Sequence, residues 1–202
     1  MKIITLLFIL LLSFQSFAQT NYKTYYDDGK IKEQGQFNKN ENRTGIWKLY
    51  YKNGKLNSIG KYEDNQQTGK WRTYYENGQL KNIGNFKNDL LSGEWITYFE
   101  NGALYSIQNF KAGKEDGQQK FYYENGKTLS VGFFDNGNPI GEFIQYYDNG
   151  TVQSIENLLT SESKFYFKNG KLRLAGHFKH GNKTGEWREY DEQGNLIKTE
   201  TY

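Results

Sequence analysis

His177 and His180 are the two histidines of this 202-residue chain, and it has no cysteine. On an extended strand, residues three apart point to opposite faces, so the pair does not converge on a metal, and zinc needs three or four convergent ligands. The acids that recur in register, Glu76, Glu100, Glu124 and Asp148, each stand two residues before a glycine, at positions that read as turns. Glycoside hydrolysis needs two carboxylates facing each other across a cleft, and acids that repeat because turns repeat do not meet that need. The acidic turns Glu63-Asp64 and Asp135-Asn136 lack the ligand spacing of a calcium loop. No nucleophile elbow or phosphate loop occurs. The reading is a non-enzymatic protein with no cofactor and no metal.

Aromatic residues recur at fixed spacing, and they carry the candidate function. Rings that remain exposed on one face can take up an extended peptide, a partner's surface or a sugar polymer by stacking. The candidate interaction face is Trp47, Tyr51, Trp71, Tyr75, Trp95, Phe99, Tyr123, Phe143, Tyr147 and Trp187. The alternative use of the same rings is to pack a sheet that has no second layer.

The elements that position these rings follow from the repeat. Gly29, Gly54, Gly78, Gly102, Gly126, Gly150, Gly170 and Gly194 are separated by 25, 24, 24, 24, 24, 20 and 24 residues. Such a period is the unit of the fold. The residue before the glycine is Asn in six units, Asp28 in the first and Gln193 in the last; tyrosine stands four before it in every unit. Asn-Gly between β-like segments is a strong hairpin signal, because both residues tolerate the positive φ of primed turns. The fold class is therefore all-β: an elongated single-layer antiparallel sheet of about eight tandem hairpins, each dependent on its neighbours.

Two registers are open. A two-residue turn at Asn53-Gly54 sets Trp47 opposite Gly60 and Leu49 opposite Ser58, with room over Gly60 for the indole. A three-residue loop with Gly54 left-handed sets Trp47 opposite Ile59. The second connection of each unit, such as EDNQQT after Tyr62, reads as polar and loose, with Pro139 in one of them. Gln119 interrupts the tryptophan column, and Glu156 stands where Gly132 stands one unit earlier. Residues 150–170 lose four residues and a second-turn glycine, which marks the place for a kink or a subdomain boundary.

Residues 1–18, MKIITLLFILLLSFQSFA, combine a basic start, a short apolar run and a small-x-small end. That is the pattern of a secretory signal peptide, and the apolar run is about half of what a spanning helix needs. The expected mature part is 19–202, secreted or periplasmic, with integral membrane association disfavoured. With 26 basic and 23 acidic residues overall, charge does not point to nucleic acid. The expected partner is another protein, or else a cell-envelope polysaccharide.

The pattern G-x-W-x-x-Y-Y-x-N-G-x-L, then glycine and an aromatic, is carried by Gly45, Trp47, Tyr50-Tyr51, Asn53-Gly54, Leu56, Gly60 and Tyr62. It returns at Gly69, Trp71, Tyr74-Tyr75, Asn77-Gly78, Leu80, Gly84 and Phe86. It resembles the variant of the MORN repeat found in many bacterial proteins, and the resemblance covers residues 25–202. It implies a single-layer hairpin sheet that serves as a scaffold or protein-binding surface. Many sequences of this variant resemble proteins labelled as the antitoxin component of a toxin-antitoxin pair, which implies a toxin as partner.

Overall fold

A computed structural model describes residues 20–202; the signal-peptide reading of residues 1–18 lies outside them. The described residues form one open antiparallel sheet of 18 strands. It is a meander in which each hairpin pairs with the next. β1 (Thr20–Tyr25) pairs with β2 (Ile31–Phe37), β2 with β3 (Arg43–Tyr50), β3 with β4 (Leu56–Glu63), and β4 with β5 (Gln66–Tyr74). β6 (Leu80–Lys87) carries both β7 (Leu90–Leu91) and β8 (Gly93–Tyr98) on its far edge. β9 (Leu104–Lys111) likewise carries β10 (Lys114–Glu115) and β11 (Gly117–Tyr122). The series continues through β12 (Thr128–Asp135), β13 (Asn138–Tyr146), β14 (Val152–Asn157), β15 (Glu162–Tyr166), β16 (Leu172–Lys179), β17 (Asn182–Tyr190) and β18 (Leu196–Thr201).

The Asn-Gly turn combines the two registers left open by the sequence. Gly54 N–H donates to the Tyr51 carbonyl and Tyr51 N–H to the Lys55 carbonyl, both at 2.9 Å. Gly54 has φ 84°, whereas Asn53 is not among the residues with positive φ, so this is a three-residue loop closed by a left-handed glycine and not a primed Asn-Gly turn. Tyr50 then faces Leu56, and a bulge restores Leu49 to Ser58 and Trp47 to Gly60. The same bulge precedes the tyrosine of every other hairpin, from Tyr25 to Tyr190. Asn53 contributes its side chain instead: its Oδ1 accepts from Lys55 N–H at 2.9 Å.

The primed geometry belongs to the second connection. Asp64 and Asn65 have φ 47° and 70°, and Asn88-Asp89, Ala112-Gly113, Asn136-Gly137 and His180-Gly181 repeat the pattern. These are tight two-residue turns, whose hand matches the strand twist, and not the loose connections the composition suggests. Pro139 accordingly lies within β13, opposite Phe134.

At 150–170 the sheet continues without interruption: Ser154, Ile155 and Glu156 face Phe165, Lys164 and Ser163. Asn157 organises the shortened connection, its Oδ1 accepting from the N–H groups of Leu159 and Thr160 at 3.0 Å. Ser161 stands nine residues before Gly170, as Gly45 stands before Gly54, and takes the left-handed φ of 61°.

Candidate interaction surface

Trp47 sits on β3, flanked by β2 and β4. Its backbone faces Gly60, but its indole leans the other way and covers Gly35 of the preceding unit. The room over Gly60 is taken by Trp71, and Trp95 covers Gly84, Phe143 covers Gly132 and Trp187 covers Gly176. Each ring thus locks one repeat to the one before it, across a backbone bare of side chain. The indole N–H groups of Trp47, Trp71 and Trp187 donate to the carbonyls of Gln36, Lys61 and His177 at 3.2 Å.

Between the tryptophans stand the aromatics that close each repeat. Phe37, Trp47, Tyr62, Trp71, Phe86 and Trp95 form one row of edge-to-face contacts, with centroids 5.2 to 6.0 Å apart. Trp47, Trp71 and Trp187 are 0%, 4% and 2% exposed, so these members of the candidate face are the core of the sheet. Trp95 and Phe143 are half-buried.

The tyrosines of the candidate face have a second task. The hydroxyls of Tyr51, Tyr75, Tyr123 and Tyr147 donate to the carbonyls of Tyr74, Tyr98, Tyr146 and Tyr166, at 2.6 to 2.8 Å. Asn53, Asn77, Asn125 and Asn149 donate from Nδ2 to backbone carbonyls of the following turn, and Lys55 and Lys127 do so from Nζ. Successive turns are therefore tied edge to edge. Phe99 lacks the hydroxyl and Ala103 stands where Lys55 and Lys127 stand, so the fourth turn makes neither of those bonds; Phe99 packs on Tyr105, and Tyr105 on Phe121.

Where the tryptophan column fails, the glycine beneath it fails too. Gln119 replaces the ring and Gln108 the glycine; Gln119 is 1% exposed and donates from Nε2 to the Asn109 carbonyl at 2.9 Å. At the next failure Ser163 replaces the ring and Glu156 the glycine. Ser163 is 4% exposed, and depressions of about 420 and 270 Å³ flank Glu156 and Leu158. Gln119 and Glu156 stand out in the sequence as single departures; their partners Gln108 and Ser163 follow only from the ring reaching backwards. A further concavity of about 860 Å³ lies at the other end, between Asn21 and Lys48.

Among the described residues no three histidine, cysteine or acidic side chains come together to hold a metal. His177 lies in β16 and His180 in the adjoining turn. Among the recurring turn acids Asp148 has an ion-pair partner: the Lys168 ammonium, 3.0 Å away, holds that carboxyl below its ordinary range. Among the described residues no helix is long and apolar enough to cross a membrane.

Comparison with curated proteins finds no match. The family model of the MORN repeat variant matches at residues 19–39, 43–64, 67–88, 91–112, 115–138, 139–158, 159–180 and 183–202. The second to fifth matches and the seventh close at or beside a primed turn. With eight copies over most of its length, the chain belongs to the MORN repeat variant family.

Proposed function

We propose that this protein is a non-enzymatic, exported scaffold that binds another protein on the aromatic face of its sheet. The observation that carries the reading is the row of rings from Phe37 to Trp95, set by edge-to-face packing and left without a second layer by the described residues. Such a row is rigid before it binds, so docking on it costs little ordering entropy. Export is supported by the pattern of residues 1–18.

Because Trp71 and Trp187 are buried, replacing them would test folding and not binding. Tyr105 and Leu158, 36% and 44% exposed on this face, are the informative positions. The experiment is capture from a cell-envelope extract, followed by titration of the purified captured protein. Tyr105→Lys with Leu158→Lys is expected to weaken binding at least tenfold, while Ile46→Lys with Phe133→Lys on the opposite face leaves it unchanged. Equal effects of the two pairs, or capture of polysaccharide alone, would overturn the reading.

A further inference from the structure

In the regular repeats, a tryptophan or phenylalanine from the sheet fills the space between the closing aromatics of two successive units. Between the sixth and seventh units the filling residue is Ser163, and Leu158 and Phe178 stand where the closing aromatics stand. The chain leaves this slot empty, with a volume of about 420 Å³. It is walled by Leu158, Phe165 and Phe178, with Glu156 and Ser163 also lining it. Register places Glu156 opposite both Phe143 and Ser163, so its carboxylate belongs to this face.

We propose that this slot receives an arginine side chain presented by the partner protein. The inference rests on the protein-partner reading above and names the chemistry of its anchor. Glu156 is exposed and makes no hydrogen bond or ion pair within the described chain. Lys164, on the adjoining strand, faces Ile155 on the other side of the sheet and pairs with Glu162 at 3.0 Å. A carboxylate beside rings suits a planar guanidinium, which stacks on aromatic faces and donates two parallel N–H bonds to a carboxylate, better than a compact ammonium.

The chain uses the same chemistry on itself. The Arg43 guanidinium carbon lies 4.1 Å from the Trp47 ring centroid and 5.5 Å from that of Tyr62. Lys183 lies 4.6 and 5.1 Å from the rings of Trp187 and Tyr202. Both cations stand eleven residues before their turn glycine; the equivalent residue of the seventh unit is Leu159, which is 82% exposed. That position supplies a cation in these two units and, as in the units with Gln67, Leu91, Glu115 and Pro139, none in the seventh, where Glu156 is left for a cation from outside.

The test is an amide-resolved NMR titration of the purified protein with N-acetyl-arginine amide, using the neutral N-acetyl-citrulline amide as isostere. Saturable shifts are expected at Ser161, Ser163 and Phe178, at least tenfold weaker for the citrulline probe and for Glu156→Gln. Refilling the slot with Glu156→Gly and Ser163→Trp should abolish them. Shifts no larger at these amides than around the exposed Glu76, or unchanged by Glu156→Gln, would overturn the proposal. Loss of protein capture with intact arginine titration would instead overturn the partner reading, so the two failures are distinct.

Discussion

The indole of Trp71 lies against the backbone of Gly60 so closely that a β-carbon on the glycine would overlap the ring. The same relationship joins Trp47 to Gly35, Trp95 to Gly84, Phe143 to Gly132 and Trp187 to Gly176. The glycine is required by its neighbour's ring and not by its own φ, since none of these five has a left-handed backbone.

Gly60→Ala should therefore destabilise the protein by about 1–3 kcal/mol, the usual cost of overpacking a tight contact. Chemical denaturation followed by tryptophan fluorescence reads it directly. A loss below roughly 0.5 kcal/mol, the scale of a neutral surface substitution, would show that the ring moves aside freely.

Restoring the pair at the sixth junction should do the reverse. Glu156→Gly with Ser163→Trp is expected to gain about 1–3 kcal/mol from burying an indole. Ser163→Trp alone should gain less or lose, because Glu156 occupies the place its ring needs. Non-additivity in the double-mutant cycle is the signature.

Ser161 holds φ 61° where other repeats use glycine. A left-handed non-glycine residue costs roughly 1–2 kcal/mol, of which the extra unfolded-chain freedom of glycine returns part. Ser161→Gly should thus raise the unfolding free energy by up to about 1 kcal/mol, visible as a higher denaturation midpoint.

The tyrosine ladder can be broken or completed with one oxygen. Tyr75→Phe removes the 2.7 Å hydrogen bond to the Tyr98 carbonyl, at a cost of about 1 kcal/mol. Phe99→Tyr should recover a similar amount if its hydroxyl reaches the Tyr122 carbonyl. Amide hydrogen exchange at the fourth and fifth turns would localise both effects.

Acid should weaken the turns before the core. Hydrogen bonding to Lys30 holds Asp28 below the ordinary 3.8, bonding to Lys168 does so for Asp148, and bonding to Asn195 for Asp191. Since these folded values are depressed, their contribution is present above the ordinary carboxylate value and is lost as pH falls through the lowered ones. Denaturation midpoints should hold from about pH 7 to about pH 5 and decline below about pH 4, less steeply in Asp191→Asn.

The period, the hairpin and the single antiparallel sheet were legible because they depend on local chemistry: alternating aromatics, turn glycines and a spacing kept over the chain. The turn types were not. Asn-Gly, a strong signal for a primed turn, forms a three-residue loop whose register is corrected by a bulge at Tyr50, while Asp64-Asn65 takes the primed form. Local composition permits either choice, and the pairing of whole strands selects between them.

The candidate face was legible as a set of ring positions, from Trp47 to Trp187, but not as a surface. Whether a ring is exposed depends on which neighbour it leans toward. Strand periodicity assigns Trp47 a face and an opposite residue, yet says nothing of whether its indole turns to Gly35 or Gly60. The sequence by itself determined the repeat, its columns and the two places where they break. Only the tertiary structure decided that Trp47, Trp71 and Trp187 are core, that each ring claims the preceding glycine, and that the break at Glu156 and Ser163 is one unfilled slot. The reason is physical: those contacts cross from one repeat to the next, where side-chain packing and not local propensity sets the geometry.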